Sequence, residues 1–239
     1  MISFLLIVIL SSTMLGCGLT LLLGYNDDYE TKLAANNSAH VRMHVVGSKD
    51  HRDELTDIER YLASSPFVED YVTVDGLMAT TSIDQSDNDD DVKDLMESAE
   101  YTALFTPLDE DRDIERMNFI EKSDEEYDNP IYISEYVLRQ QYQNRLKVGD
   151  EIVLSIGEHI YEFRLAGVYE TLMAEECFYV TESQYADMVE TLSADSKRYD
   201  SFILITTVDG ITDDAAADEI MEDLGRRGYN ADISTYTKS

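Results

Sequence analysis

The sequence predicts an α+β protein. An N-terminal transmembrane helix leads into a folded body in which two strand–helix–strand units form a mixed sheet, with a small β-rich lobe inserted between them. Three observations predict it. Ile2 to Leu23 is a run of 22 residues with no charged side chain. The remaining chain begins and ends with the same order of periodicities, strand, helix, strand, over Ala39 to Ile83 and again over Ser201 to Tyr236. Between them, short alternating apolar segments are separated by turn residues, the pattern of a β-rich insert.

At 1.5 Å rise per residue the leading run makes a helix of about 33 Å, against a bilayer core of about 30 Å. A helix satisfies its own backbone in lipid, and this one is apolar on every side. A cleaved signal peptide would carry a basic start and a shorter apolar core, and no Lys or Arg precedes this run. A lipoprotein signal wants a small residue two places before the modified cysteine, where Leu15 precedes Cys17. A retained span is therefore the expectation, and its orientation is not encoded in flanking positive charge.

The elements follow in order. Tyr25 to Ser38 reads as a stalk. Val41, Met43 and Val45 alternate with His40, Arg42 and His44, a half-buried strand whose polar side is expected to be solvated. Leu55, Ile58 and Leu62 stripe a helix that ends before Pro66. Phe67 to Ile83, rich in Val, Thr and Tyr, is extended and splits at Asp75-Gly76. The block from Asp84 to Asp128 opens with the acidic loop 84–91 and offers two patches able to pack, Tyr101 to Leu108 and Met117 to Ile120.

Order returns at Asn129. A short strand, Ile131 to Ile133, precedes a helix with Leu138, Tyr142 and Leu146 on one face. Val148-Gly149-Asp150 turns the chain into a strand with Ile152, Leu154 and Ile156 on one side, and Gly157-Glu158 makes a hairpin to Tyr161, Phe163 and Leu165. Phe178 to Val180 is another strand. Thr181 and Gln184 form a capping box for a helix striped by Tyr185, Met188, Val189 and Leu192. Ser201 to Thr207 suits a central strand. Ala217, Ile220, Met221 and Leu224 stripe a last helix that stops at Gly228, and Tyr229 to Tyr236 closes the chain as a strand. The divisions are thus 1–24 for the transmembrane helix and 25–38 for the stalk. Residues 39–83 and 200–239 form a membrane-proximal α+β subdomain, and 84–199 an inserted distal one.

Charge narrows the functional classes. With 18 basic and 50 acidic residues the net charge is −32, which repels nucleic-acid phosphates and anionic lipid surfaces and leaves cationic ligands open. No phosphate-binding glycine loop, GxSxG or HExxH occurs, so the expectation is a chain that is no enzyme, with no catalytic residues and no cofactor. No metal site is expected either. His40 and His44 lie about 13 Å apart along an extended strand. Asp87 to Asp91 lacks the glycine and distal glutamate of an EF-hand loop. Asp213-Asp214 suits a helix N-terminus, Glu175-Glu176 a loop, and Cys177, beside two acids, a packed thiol.

Tyr132 to Glu170, with its helix, Leu146 to Leu154 (LKVGDEIVL), hairpin, and Phe163 to Val168 (FRLAGV), resembles the extracytoplasmic core domain of FtsX/MacB-type ABC transporter permeases. The resemblance implies the first of four membrane spans and an outer domain between spans one and two, with residues after about 24 outside the cell membrane. It further implies a second permease copy and a cytoplasmic ABC ATPase as partners. ATP-driven motion would be coupled to export or signalling; the acidity of the chain, separately, favours cationic substrates such as peptides. The competing expectation is a single-span, membrane-anchored surface protein that binds a ligand or cell-wall component.

Overall fold

Apolar alternation puts Val41, Met43 and Val45, all fully buried, on one side of the first strand, β1 (Val41–Gly47). The computed structural model describes residues 31, 33, 37–47, 51–83, 101–171, 177–193, 197–229 and 232–235. The leading apolar run, the acidic loop 84–91, Glu175-Glu176 and most of the stalk lie outside them. No helix among the described residues is long and apolar enough to cross a membrane.

After β1 come α1 (His51–Leu62), β2 (Val68–Val74) and β3 (Leu77–Ile83). Near the other end come β10 (Lys197–Thr207), α4 (Asp213–Arg227) and β11 (Asp232–Thr235). The four strands β11, β1, β10 and β2 lie side by side in that order, every neighbouring pair antiparallel. This is the interleaved βαβ–βαβ arrangement of a ferredoxin-like sheet. Both helices pack on one face: Leu55, Ile58 and Leu62 of α1 and Ala217, Ile220 and Leu224 of α4 meet Val41, Met43, Val45, Ile203 and Ile205. Fully burying each Ile or Leu is worth about 1.5–3 kcal/mol. Met221, expected on the buried stripe, is 44% exposed, because the apolar face of α4 is filled by Ala217, Ile220 and Leu224.

The expected split at Asp75-Gly76 is present, and β2 and β3 run end to end along β10. Val74 pairs with Phe202, Gly76 O accepts from Asp200 N at 3.0 Å, and Leu77 pairs with Tyr199, all in one register. β3 then leaves this sheet. Its last three residues pair with β7 (Glu151–Ile156), and its length pairs with β4 (Tyr101–Pro107).

From β4 the pairing continues through β9 (Cys177–Val180) and β6 (Pro130–Ser134) to β8 (His159–Tyr169), and β8 pairs with β7. The ring β3–β4–β9–β6–β8–β7 therefore closes into a six-stranded barrel, with β5 (Phe119–Lys122) added at the end of β8. Alternate residues point inward: Leu77, Phe105, Ile131, Ile133, Ile152, Leu154, Leu165 and Phe178 form one core. Phe105 and Phe178, paired across β4 and β9, stack at 5.3 Å. Val137 of α2 (Glu135–Gln140) and Met188 of α3 (Glu182–Thr191) pack into the same core.

The helix around Leu138 is shorter than its apolar stripe. It stops at Gln140, because Gln143 and Asn144 adopt left-handed backbone with φ of 50° and 58°. Tyr142 is nevertheless buried, carried by a turn instead of a helix. The patch Tyr101 to Leu108 is an integral barrel strand with Ala103 and Phe105 fully buried.

Candidate functional site

Three places combine polar chemistry with constrained geometry. The first is the point where the chain enters and leaves the sheet. Val41 lies opposite Thr235, so the start of β1 and the end of β11 are neighbours. His40, just before β1, binds the end of β10 through its ring and its backbone. Its N–H donates to Ile205 O at 2.9 Å, and its Nδ1 accepts the Thr207 N–H at 3.1 Å and lies 2.8 Å from Thr207 Oγ1. Asp213, in the first turn of α4, accepts from Thr207 Oγ1 at 3.1 Å. Thr235 Oγ1 donates to Asp214 Oδ1 at 2.7 Å. One histidine thus fastens the chain entrance to the end of β10 and, through Thr207, to the start of α4.

The second place is the helix-free face of the sheet. Asp200 is fully buried there. Arg198 donates to both its carboxylate oxygens, at 2.9 and 2.8 Å, and His44 Nε2 lies 3.3 Å from Oδ2. Burial alone would raise the Asp200 pKa, but the close His44 ring and the two Arg198 hydrogen bonds outweigh it and hold the carboxyl below its ordinary range. His44 stacks on Phe202 at 4.8 Å, and the Arg42 guanidinium lies 4.1 Å above the same ring. The expected solvated side of β1 is therefore corrected. Arg42 is 9% exposed and His44 half-buried, because the alternation of β1 is matched by a second packed layer on its polar side.

That layer is the strap between β4 and β5, and beneath it lies the third place, a cleft of about 80 Å³. Asn37 Nδ2 donates to Asp113 O at 2.7 Å and Asn37 O accepts from Glu115 N at 3.0 Å, which fixes the strap to the residues preceding β1. Ile114 packs with Leu33, Ala39 and Leu204. Arg112, 7% exposed, donates to Glu115 O from Nε at 3.2 Å and from Nη2 at 2.8 Å. Its Nη2 also reaches Tyr179 Oη at 3.4 Å. Burial pushes Tyr179 up to about 12 against the pull of Arg112, so its hydroxyl stays protonated. Burial works to lower the Arg112 pKa, but Tyr179 and Glu115 outweigh it and leave it raised.

Of the residues singled out from sequence, His40, Asp213 and Asp214 meet at the first place, His44 lies at the second, and Cys177 lines the third. Asp213-Asp214 occupies the first turn of α4. An open groove of about 620 Å³ runs beside α3, with the start of β8 at its edge. Cys177 is buried in β9. Gly149 takes φ +97°, and Asp150 Oδ2 accepts from Lys147 N at 2.8 Å. Gly149 N and Asp150 O bind the backbone of Leu165, so Val148-Gly149-Asp150 is the turn that joins the α2 segment to β7 and β8. Among the described residues no group of three or more His, Cys, Asp or Glu side chains can hold a metal ion. Arg42, Arg112 and Asp200 were not legible as a site, since each sits in a stretch whose pattern spoke only of strand or loop.

No family model matches the chain, and no curated protein does. Solved structures do. The periplasmic region of MacB from Actinobacillus actinomycetemcomitans matches over 82% of this chain and 88% of its own, at 13% identity and a TM-score of 0.42. The extracellular domain of the noncanonic ABC-type transporter YknZ from Gram-positive bacteria matches over 82% of this chain and 100% of its own, at 10% identity and 0.40. A domain assigned to a permease protein from Porphyromonas gingivalis matches over 84% of this chain and 93% of its own, at 14% identity and 0.43. Each of the three is thus similar to this chain over more than four fifths of its length.

Proposed function

We propose that this chain is the first membrane span and extracytoplasmic domain of an ABC-type permease, and that it carries motion from a cytoplasmic ATPase to the outside of the membrane. One observation carries the proposal. β1 and β11 are antiparallel neighbours with Val41 opposite Thr235, so the body is entered and left at the same end. A body inserted between two membrane spans needs that geometry, and the uncharged run Ile2 to Leu23 supplies the first span. In this proposal residues 39–83 and 200–239 form the part nearest the membrane and 84–199 the part beyond it. The chain does no chemistry itself. Its partners are a second permease copy and an ABC ATPase, and its acidity favours a cationic substrate such as a basic peptide.

The shared strands suit such a task. β10 runs beside β1, β2 and β3, and β3 continues into the barrel, so displacement at the chain entrance is passed along backbone hydrogen bonds, which are stiffer than side-chain contacts. The test is purification of the epitope-tagged protein, encoded by its whole open reading frame, from its own membranes in mild detergent. The proposal expects an ABC ATPase in near-stoichiometric amount and further apolar spans encoded after Ser239. A protein that ends near Ser239 and purifies without an ATPase would contradict it and favour the anchored surface protein.

A further inference from the structure

We infer that the cleft beneath the strap binds a small oxyanion, a phosphate or carboxylate group held by the Arg112 guanidinium. This inference stands apart from the permease proposal and would survive its failure. Arg112 is a charged group only 7% exposed, and its hydrogen-bond partners among the described residues are neutral: the Glu115 carbonyl and the Tyr179 hydroxyl. Among the described residues no carboxylate lies within ion-pairing distance of it, and the Glu115 carboxylate acts on it only at longer range. Its Nη1, with two N–H groups, makes no hydrogen bond among these residues. A buried guanidinium with neutral partners recovers little of its lost hydration, and an anion in the cleft restores it.

The surroundings agree. Arg42 and Arg116 line the same cleft, so three arginines converge in a molecule of net charge −32, against two glutamates, Glu115 and Glu170. Arg42 is 9% exposed, and Arg116, paired with Asp113 at 2.8 Å, stands at the more open side. Tyr179 keeps its proton and accepts from Arg112, which leaves its O–H free to donate to a bound oxygen. The cleft of about 80 Å³ exceeds the share of one or two waters, about 30 Å³ each, and is far below the roughly 300 Å³ at which drug-sized pockets begin. It suits a single anionic group. Occupied, it would join the strap, through Arg112, to the barrel, through Tyr179, and set an anion beside Arg42 of the sheet.

The experiment is calorimetric titration of the full chain in non-ionic detergent with inorganic phosphate and, separately, with acetate, each against sodium chloride at equal ionic strength. Saturable one-site binding in either arm is expected, and the stronger arm identifies the preferred group. Arg112→Gln should weaken it at least about 10-fold and Arg116→Gln about 3-fold. Should Arg112→Gln fail to fold by circular dichroism, Tyr179→Phe takes its place, with an expected loss of about 5-fold. No saturable heat in either arm beyond the chloride control overturns the proposal. So does affinity unchanged in Arg112→Gln, or in both Tyr179→Phe and Arg116→Gln where Arg112→Gln does not fold.

Discussion

Asp200 marks the point where β10 passes from β2 to β3, and two features hold the strands there. Gly76 is the first. A Cβ there would meet Asp200 O at 2.2 Å and Leu104 Cδ1 at 2.7 Å, so only a residue without a side chain lets the two strands stay in register. Gly76→Ala should cost about 3 kcal/mol, the upper range of overpacking, read as a lowered urea midpoint. The charge of Asp200 is the second. Its pKa is lowered on folding, so its ion pair with Arg198 stabilises fully above the unfolded carboxyl value near 4 and is lost as pH falls through the lower folded value. Asp200→Asn should cost about 2 kcal/mol at pH 7, less than a sealed pair would because Arg198 is half in solvent. Protonating the other carboxylates relieves self-repulsion in so acidic a chain, so wild type and variant are compared at each pH. The gap between their urea midpoints should narrow below about pH 4. A gap constant from pH 6 to pH 2 would contradict the account.

Among the elements, α3 was the most fully legible. Thr181 Oγ1 accepts from Gln184 N at 3.2 Å and Gln184 Oε1 accepts from Thr181 N at 2.7 Å, the reciprocal cap that the spacing announces. Thr181→Ala should lower stability by about 1 kcal/mol, measured by thermal unfolding. A change below about 0.3 kcal/mol would mean the cap is replaced by another acceptor. Elsewhere the sequence pattern overstated or understated an element for identifiable reasons. Leu138, Tyr142 and Leu146 keep a helical spacing although the helix ends at Gln140, because a turn can deliver Tyr142 to the same core. β1 read as half-solvated because Arg42 and His44 are polar. Periodicity records side-chain chemistry, and the partners that bury that side, Asp200 and Phe202 of β10 beside His44 and the strap beside Arg42, are distant in sequence.

At the scale of the whole molecule, the two strand–helix–strand units were visible in sequence because each carries its own periodicity. Their interleaving with β10 at the centre follows from that pattern and from the continuous apolar run Ser201 to Thr207. The barrel was legible only as separate strands, since closure depends on β3 pairing with β7 and β4 with β9, contacts between segments far apart in the chain. The arginine cleft was not legible at all, because Arg42 and Arg112 meet only through that long-range folding. The claim on which the rest depends is the adjacency of entrance and exit. Met43 and Ile233 are register partners across β1 and β11, which places their Cα atoms about 4.5–5.5 Å apart, within reach of a disulfide. With Cys17→Ser and Cys177→Ala as background, Met43→Cys with Ile233→Cys should cross-link nearly completely under mild oxidation. Met43→Cys with Asp232→Cys, one step out of register and facing the other way, should not. Failure of the first pair, or equal cross-linking of both, would contradict the account.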